Sequence, residues 1–101
     1  MEAFAALADP TRRRIVELLA REGELPAGDI AEHFRFARPT VSRHLRVLRD
    51  AGVVRVRSIA QQRRYALEPA ALEELEAWLA RYRRFWARHL IQLDKSIKER
   101  S

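Results

Sequence analysis

The chain of 101 residues contains no cysteine. It therefore forms no disulfide bond, offers no thiolate ligand to a metal ion and carries no thiol redox chemistry. Glycine is also scarce, with three residues, and no glycine-rich segment is present that would cradle a phosphate group. These absences exclude a disulfide scaffold, a thiolate metal centre and a P-loop nucleotide site.

Long apolar runs are absent as well. No run approaches the ~20 apolar residues that a membrane-spanning helix needs. The first ten residues, MEAFAALADP, have an acid at position 2 and no basic stretch before an apolar segment, so we do not expect a signal peptide. The length predicts a single domain over residues 1–101, and the expected location is the cytoplasm, at the nucleoid.

Acidic residues are nearly missing from one block, residues 38–67. Eight arginines stand there against Asp50 alone, which gives the block a net charge of +7. Because the whole chain carries +6, the remaining residues sum to −1. A localised basic patch on a near-neutral body is the electrostatic footprint of a protein that binds a polyanion.

The periodicity of residues 37–52 predicts one helix with two different faces. Val41, Leu45 and Leu48 form an apolar stripe that faces a core. A solvated surface helix is the alternative, but such a helix normally mixes acids with bases. The major groove of DNA admits a helix, and Arg, Ser and Thr reach its base edges. We therefore predict a recognition helix over residues 38–51, whose other positions carry Arg38, Thr40, Ser42, Arg43, Arg46 and Arg49.

Three shorter helices are predicted ahead of it, over residues 2–8, 10–22 and 26–34. Asp9 is a good N-cap followed by proline, and Gly23 is suited to end the second helix. After the recognition helix the period changes to two, which predicts a hairpin over residues 53–67. Its turn segment has no Asn-Gly or Gly-Gly pair, so we expect a mobile loop longer than two residues.

The last predicted helix covers residues 69–98 and carries a continuous apolar seam. One short domain does not have enough surface to cover this seam, so we interpret it as a helix–helix dimer interface. The alternative is that the helix folds back on its own domain. The predicted interface comprises Phe4 and Leu7 of the first helix with Leu72, Leu75, Leu79, Tyr82, Trp86, Leu90 and Leu93 of the last.

These segments together resemble the ArsR-type (ArsR/SmtB, arsenic-repressor-like) transcriptional repressors of bacteria. The resemblance rests on ALADPTRRRIVELLAREGEL, on DIAEHF followed by RPTVSRHLRVLRDAGVV, and on RRYAL, in that order along nearly the whole chain. It implies a winged helix-turn-helix that is mainly α with a small β-hairpin: four helices, two strands and a fifth helix. It also implies a homodimer built on the first and last helices, and binding to a palindromic operator in double-stranded DNA.

Residue roles follow from the resemblance. The implied base contacts are Arg38, Thr40, Ser42 and Arg43. The implied phosphate contacts are Arg46, Arg49, Arg55, Arg57, Gln61, Gln62, Arg63 and Arg64. For Arg12, Arg13 and Arg14, contact with the DNA backbone and a solvated helix face remain open.

The chain departs from the metal-sensing members of this family. Where one sensing site has the thiolate pair of E-L-C-x-C-D, this sequence reads ELPAGD, with Pro26 and Gly28 at the ligand positions. The last helix offers a single histidine, His89, whereas zinc takes three or four ligands. We therefore expect no metal site, no cofactor and membership of the non-metal branch. A small organic inducer bound in the dimer seam, in an apolar pocket lined by Trp78, Phe85 and Trp86, stays open beside the reading of these residues as plain core.

Other function classes are weaker. Ser42 and His44 are two apart on one helix, so their side chains diverge and do not form a nucleophile–base pair, and we do not expect an enzyme. A winged-helix module that binds only protein is the serious rival, although it does not need a block of +7. RNA readers usually present exposed aromatic residues, and only Tyr65 lies within the basic block.

Overall fold

The computed structural model describes residues 2–100 of the chain, with side-chain surroundings for residues 2–92. Nine elements follow one another along this part of the chain. They are α1 (Glu2–Ala6), α2 (Pro10–Glu22), β1 (Leu25–Pro26), α3 (Ala27–Phe34), α4 (Arg38–Asp50), β2 (Val54–Ile59), β3 (Gln62–Leu67), α5 (Pro69–Ala80) and α6 (Arg83–Arg100). None of the helices described is long and apolar enough to cross a membrane.

The ends of α2 form as the sequence predicts. The Asp9 carboxylate accepts a hydrogen bond from the backbone N–H of Arg12 at 3.0 Å, and Pro10 occupies the first turn. Gly23 ends the helix with a φ of 82°, a conformation that costs glycine little, and its N–H donates to the carbonyl of Leu19.

The core is built from the apolar stripes of three helices and the start of the hairpin. Val41, Leu45 and Leu48 of α4 are fully buried, which confirms the predicted inner face of this helix. They lie in one cluster with residues of α2, of α3 and of the start of the hairpin, namely Ile15, Leu18, Leu19, Ile30, Ala31, Val53 and Val54. Burial of one face of α4 leaves the opposite face at the surface.

The predicted hairpin is present as part of a three-stranded antiparallel sheet with the order β1-β3-β2. β1 is a two-residue strand in which Leu25 pairs with Tyr65 and Pro26 pairs with Arg64. The sequence analysis did not predict this strand, because two residues are too short for an alternating pattern. Pro26 is tolerated there since β1 lies at the edge of the sheet, where a missing N–H breaks no ladder on the outer side.

The prediction of a hairpin loop longer than two residues is wrong. Ile59 pairs directly with Gln62, so the connection is a two-residue turn made of Ala60 and Gln61. Tight hairpin turns need a positive φ at their first central position, and Ala60 has a φ of 55°. Glycine or asparagine normally marks such a position; alanine does not, which is why the sequence pointed to a longer loop.

The single helix expected over residues 69–98 is divided into α5 and α6. At the division, Arg81 and Tyr82 donate their backbone N–H groups three residues back, to the carbonyls of Trp78 at 3.2 Å and Leu79 at 3.0 Å. This tighter bonding interrupts the α-helix. Neither glycine nor proline stands at this point, so no breaker residue signalled the division.

Candidate nucleic-acid interface

The outer face of α4 presents the predicted base-contacting groups to solvent. Arg38, Ser42 and Arg43 are exposed and Thr40 is half-buried. They lie on the same helix as the fully buried Val41 and Leu45, which fix its position against the core. A rigidly anchored helix with exposed Arg and hydroxyl groups matches the donors and acceptors that the major groove presents.

An open groove of about 720 Å³ lies between α4, the start of α3 and the tip of the hairpin. Its lining includes seven of the predicted contact residues, Arg38, Ser42, Arg46, Arg49, Gln61, Gln62 and Arg63. Asp29 and Asp50 also line it, so four arginines face two carboxylates. The groove is therefore net positive, and it joins the recognition helix to one part of the wing.

Gly28, at the start of α3, allows the close approach of Arg38. A Cβ atom at Gly28 would lie 3.2 Å from Nη1 of Arg38, tighter than most side-chain contacts. The Arg38 guanidinium therefore rests against the first turn of α3, and a larger residue at position 28 would displace it by a few tenths of an ångström. The sequence analysis noted Gly28 only as a missing metal ligand.

The predicted phosphate contacts of the wing are divided between two faces of the sheet. Tyr65 is buried and pairs with Val56, so this face of the hairpin is turned towards the core. Arg63 is two residues from Tyr65 and therefore lies on the same face, where it reaches the groove. Arg57 pairs with Arg64, and Arg55 with Ala66, on the opposite face, here called the outward face. Because successive residues of a strand lie on opposite faces, this division could be read from the sequence.

Glu24, just before β1, binds the arginines of the outward face. Nε and Nη2 of Arg57 donate to the two carboxylate oxygens of Glu24 at 2.7 and 2.8 Å, and Nη1 of Arg64 lies 3.8 Å from Oε1. The hydrogen bond from Arg57 lowers the pKa of Glu24 below its ordinary value, and the same bond raises the pKa of Arg57. Both arginines were predicted phosphate contacts, and in the structure both lie beside the carboxylate of Glu24.

Two of the three arginines at the start of α2 bind within the chain. Arg12 donates from Nε to the carbonyl of Ala6 at 2.6 Å, and Arg13 donates from Nη1 to the carbonyls of Leu7 and Ala8 at 2.9 and 3.2 Å. Cations are favourable at a helix C-terminus, so this pair holds the end of α1. Arg14 instead stacks its guanidinium over the ring of Phe34, 5.6 Å from its centre.

A stripe of large apolar side chains on α5 and α6 remains exposed. Leu72, Leu79, Tyr82, Trp86 and Leu90 are 41–60% exposed, and Phe4 of α1 is at 36%. Leu75 is different, because it is only 9% exposed and belongs to the core of its own protomer. Leu7 also packs partly against that core, and the Leu93 side chain lies outside the described residues.

The aromatic residues of this region form two separate clusters. Trp78 packs against Phe4 and Tyr82, with ring centres 4.8 and 4.6 Å apart. Phe85 packs against Trp86 and His89 at 5.8 and 6.0 Å. Trp78 thus packs with Phe4 and Tyr82, and Phe85 packs with its neighbours on α6.

Comparison with known proteins identifies the family. A profile described as bacterial regulatory protein, arsR family, matches residues 9–56. The chain is 39% identical over 79 residues to transcriptional repressor SdpR of Bacillus subtilis (strain 168), covering 78% of this chain and 87% of that protein. It is 46% identical over 88 residues to the HTH-type transcriptional regulator Rv2034 of Mycobacterium tuberculosis, covering 87% and 78%. The chain belongs to the ArsR family.

A solved structure with the same fold supports this assignment. It is a solution structure of Mb0332 from Mycobacterium bovis, described as a homodimeric winged helix-turn-helix DNA-binding domain and a possible ArsR-family regulator. It superposes with a TM-score of 0.66 at 28% identity, over 80% of this chain and 77% of that one. The predicted winged helix-turn-helix fold is thereby confirmed. The prediction that the chain is not an enzyme is confirmed too, since ArsR-family proteins are transcriptional regulators.

The ArsR profile covers α2 to α4 and the start of β2. Glu24 and Gly28 lie inside this segment, yet both act through partners distant in sequence, Arg57 in the case of Glu24 and Arg38 in the case of Gly28. No local pattern announces such contacts. Among the side chains that the structure describes, no group of three His, Cys, Asp or Glu residues is placed to hold a metal ion.

Proposed function

We propose that this ArsR-family chain is a transcriptional repressor that binds a palindromic operator in double-stranded DNA as a homodimer. One observation carries the proposal: the outer face of α4 and the tip of the wing border one net-positive groove, while the inner face of α4 is fixed in the core. A module that binds only protein does not need such an arrangement.

Base contacts are assigned to the first two turns of α4. Arg38, Thr40, Ser42 and Arg43 occupy the N-terminal end of the helix, the end that enters the major groove in helix-turn-helix proteins. Arg46, Arg49, Gln61, Gln62 and Arg63 border the groove further along and are assigned to phosphate. Arg55 is assigned to phosphate as well, whereas Arg57 and Arg64 keep a phosphate role only to the extent that Glu24 leaves them free.

Dimerisation is assigned to the exposed apolar stripe of α5 and α6 together with Phe4. These side chains are too large and too numerous to remain in water on a small domain, and a second copy covers them with the same surface. A twofold axis through this stripe places two α4 helices in a symmetric relation. A palindromic DNA site has the same symmetry.

The proposed repressor acts without a bound metal, since Pro26 and Gly28 stand where thiolates would be needed. The proposal includes no organic inducer. Its place of action is the nucleoid in the cytoplasm, where the operator is.

Binding to the promoter of the chain's own gene tests the proposal. We expect preferential binding of one palindromic segment over scrambled DNA of equal length, with an affinity that falls steeply between 50 and 200 mM salt, as neutralisation of several phosphates requires. Equal affinity for both duplexes, or an affinity independent of salt, contradicts the proposal and favours the protein-binding module.

A further inference from the structure

Glu24 is the acidic residue that stands against the outward face of the wing. Its carboxylate receives two hydrogen bonds from Arg57, one at each oxygen, and lies 3.8 Å from Arg64. Bidentate pairs of this kind are among the strongest hydrogen-bonded contacts between side chains, because both partners are charged and their planar groups match. The Arg57 head group is thus held by a partner inside the chain.

The Glu24 carboxylate accepts from Arg57 the same kind of bidentate contact that a phosphate group accepts from arginine. Arg57 remains 64% exposed, as a DNA-contacting arginine does, while the Glu24 side chain is only 23% exposed. Glu24, Arg57 and Arg64 sum to +1 instead of the +2 that two free arginines offer. Arg55, on the same face, adds to the positive field around the carboxylate.

We propose that Glu24 limits the affinity of the wing for the DNA backbone, because its carboxylate competes with phosphate for Arg57 and Arg64. This inference rests on the proposed function, since it concerns the same DNA complex. Phosphate contacts strengthen binding to every sequence alike. Glu24 binds Arg57 through hydrogen bonds and lies close enough to Arg64 to attract its charge. It thereby weakens the contacts with phosphate that are the same for every DNA sequence. Arg63, on the groove side of the wing, is left as the main backbone contact.

The substitution Glu24→Gln tests the proposal. It keeps the size and the hydrogen-bonding oxygen of the side chain but removes the charge that competes with phosphate. We expect E24Q to bind the operator and a scrambled duplex several-fold more tightly at 50 mM salt. The slope of log affinity against log salt should become steeper by about 0.9 for each additional phosphate that the wing neutralises. For one such phosphate, the improvement in affinity at 200 mM salt is then about threefold smaller than at 50 mM.

Glu17→Gln is the matched control. Glu17 is an exposed carboxylate of α2, so E17Q changes the net charge by the same amount without releasing an arginine. Its salt slope should equal that of the unaltered chain. The double variant E24Q/R57Q should lose most of the improvement that E24Q brings. If E24Q has the affinity and slope of E17Q, or binds more weakly than the unaltered chain, the proposal is overturned and Glu24 only positions the wing.

A second comparison does not depend on the folding of E24Q. Arg57 and Arg63 lie on opposite faces of the same hairpin and are both exposed. R63Q should reduce the salt slope by about 0.9, the value for removal of one phosphate contact, and R57Q by less than half as much. Equal reductions in the two variants would overturn the proposal. Failure of the unaltered chain to bind any duplex would instead refute the proposed function.

Discussion

Individual residues at this surface differ in what they can recognise. Arg43 is exposed in the second turn of α4 and is assigned to a base contact in the proposed complex, whereas Arg63 borders the groove from the wing and is assigned to phosphate. Base contacts discriminate between sequences, and phosphate contacts do not. Because the two arginines carry the same charge, a difference between their alanine variants reports the position of the side chain and not the loss of charge.

We expect Arg43→Ala to reduce the preference for the operator over scrambled DNA by about 1–3 kcal/mol, the range for removal of a base contact. Arg63→Ala should weaken binding to both duplexes by the same factor and lower the salt slope by about 0.9. Competition titrations over a salt series measure both effects, and Arg21→Ala on α2 serves as the charge control. An unchanged operator preference in Arg43→Ala would show that Arg43 reads no base.

At the residue scale, Asp9 gives the fold a dependence on acid. The hydrogen bond from the Arg12 N–H lowers the pKa of Asp9 below its ordinary value of 3.8. A carboxyl whose pKa is lower in the folded than in the unfolded chain stabilises the fold above its unfolded pKa, and this stabilisation is lost as the pH falls through the folded pKa. Glu24, whose pKa is also lowered, acts in the same direction.

We predict that Asp9→Asn loses less stability in acid than the unaltered chain does. Asparagine caps a helix about as well as aspartate but does not titrate. Thermal unfolding from pH 7 to pH 2 should show a shallower decline of Tm in the variant below pH 4, with a residual decline from Glu24. Asp50→Asn removes an exposed carboxylate from the end of α4 and controls for net charge. If Tm falls equally below pH 4 in the unaltered chain and in Asp9→Asn, Asp9 is not a source of the acid dependence.

Among the elements, the hairpin turn carries a conformational cost. Ala60 adopts a φ of 55°, where a Cβ atom is close to the following carbonyl. We predict that Ala60→Gly raises the free energy of unfolding by about 1 kcal/mol, because the relief of this contact outweighs the added freedom of the unfolded chain. Ala66→Gly, near the end of β3 where Ala66 pairs with Arg55, should lower it by about 0.5–1 kcal/mol. Denaturant unfolding measures both, and destabilisation by Ala60→Gly would be the contrary result.

The elements also show how far the sequence alone could lead. Helices α2 and α4 were predictable because caps and apolar stripes are local signals. The two-residue turn, the strand β1 and the division at Arg81 were not, because each depends on backbone geometry that no marker residue announces. For the candidate site, the charge block located the surface, but the pairing of Arg57 with Glu24 joins residues 33 apart in sequence, so only the structure could show it.

At the scale of the whole molecule, the protomer has an elongated shape. Its principal extents are 63 × 26 × 21 Å, and its radius of gyration is 18.2 Å, against roughly 13 Å for a compact domain of 100 residues. In the described residues α6 does not fold back to cover its own apolar side chains, since Trp86 is 55% and Leu90 is 60% exposed. An elongated chain with an uncovered apolar helix is what the proposed dimer predicts for one protomer, with α6 as the dimer arm.

The last prediction concerns this arm. Trp86→Ala should raise the dissociation constant of the dimer by about 30-fold or more, since an aromatic anchor at the centre of an interface contributes about 2 kcal/mol or more. Arg84→Ala, two residues away on the same helix and therefore on another face, should leave the dimer intact. Sedimentation at decreasing concentration measures both. The Trp86→Ala protomer should keep its circular dichroism, because Trp86 is mostly outside the core, and should bind one half-site more weakly than the dimer binds two. A Trp86→Ala variant that sediments as a dimer with unchanged affinity would place the interface elsewhere.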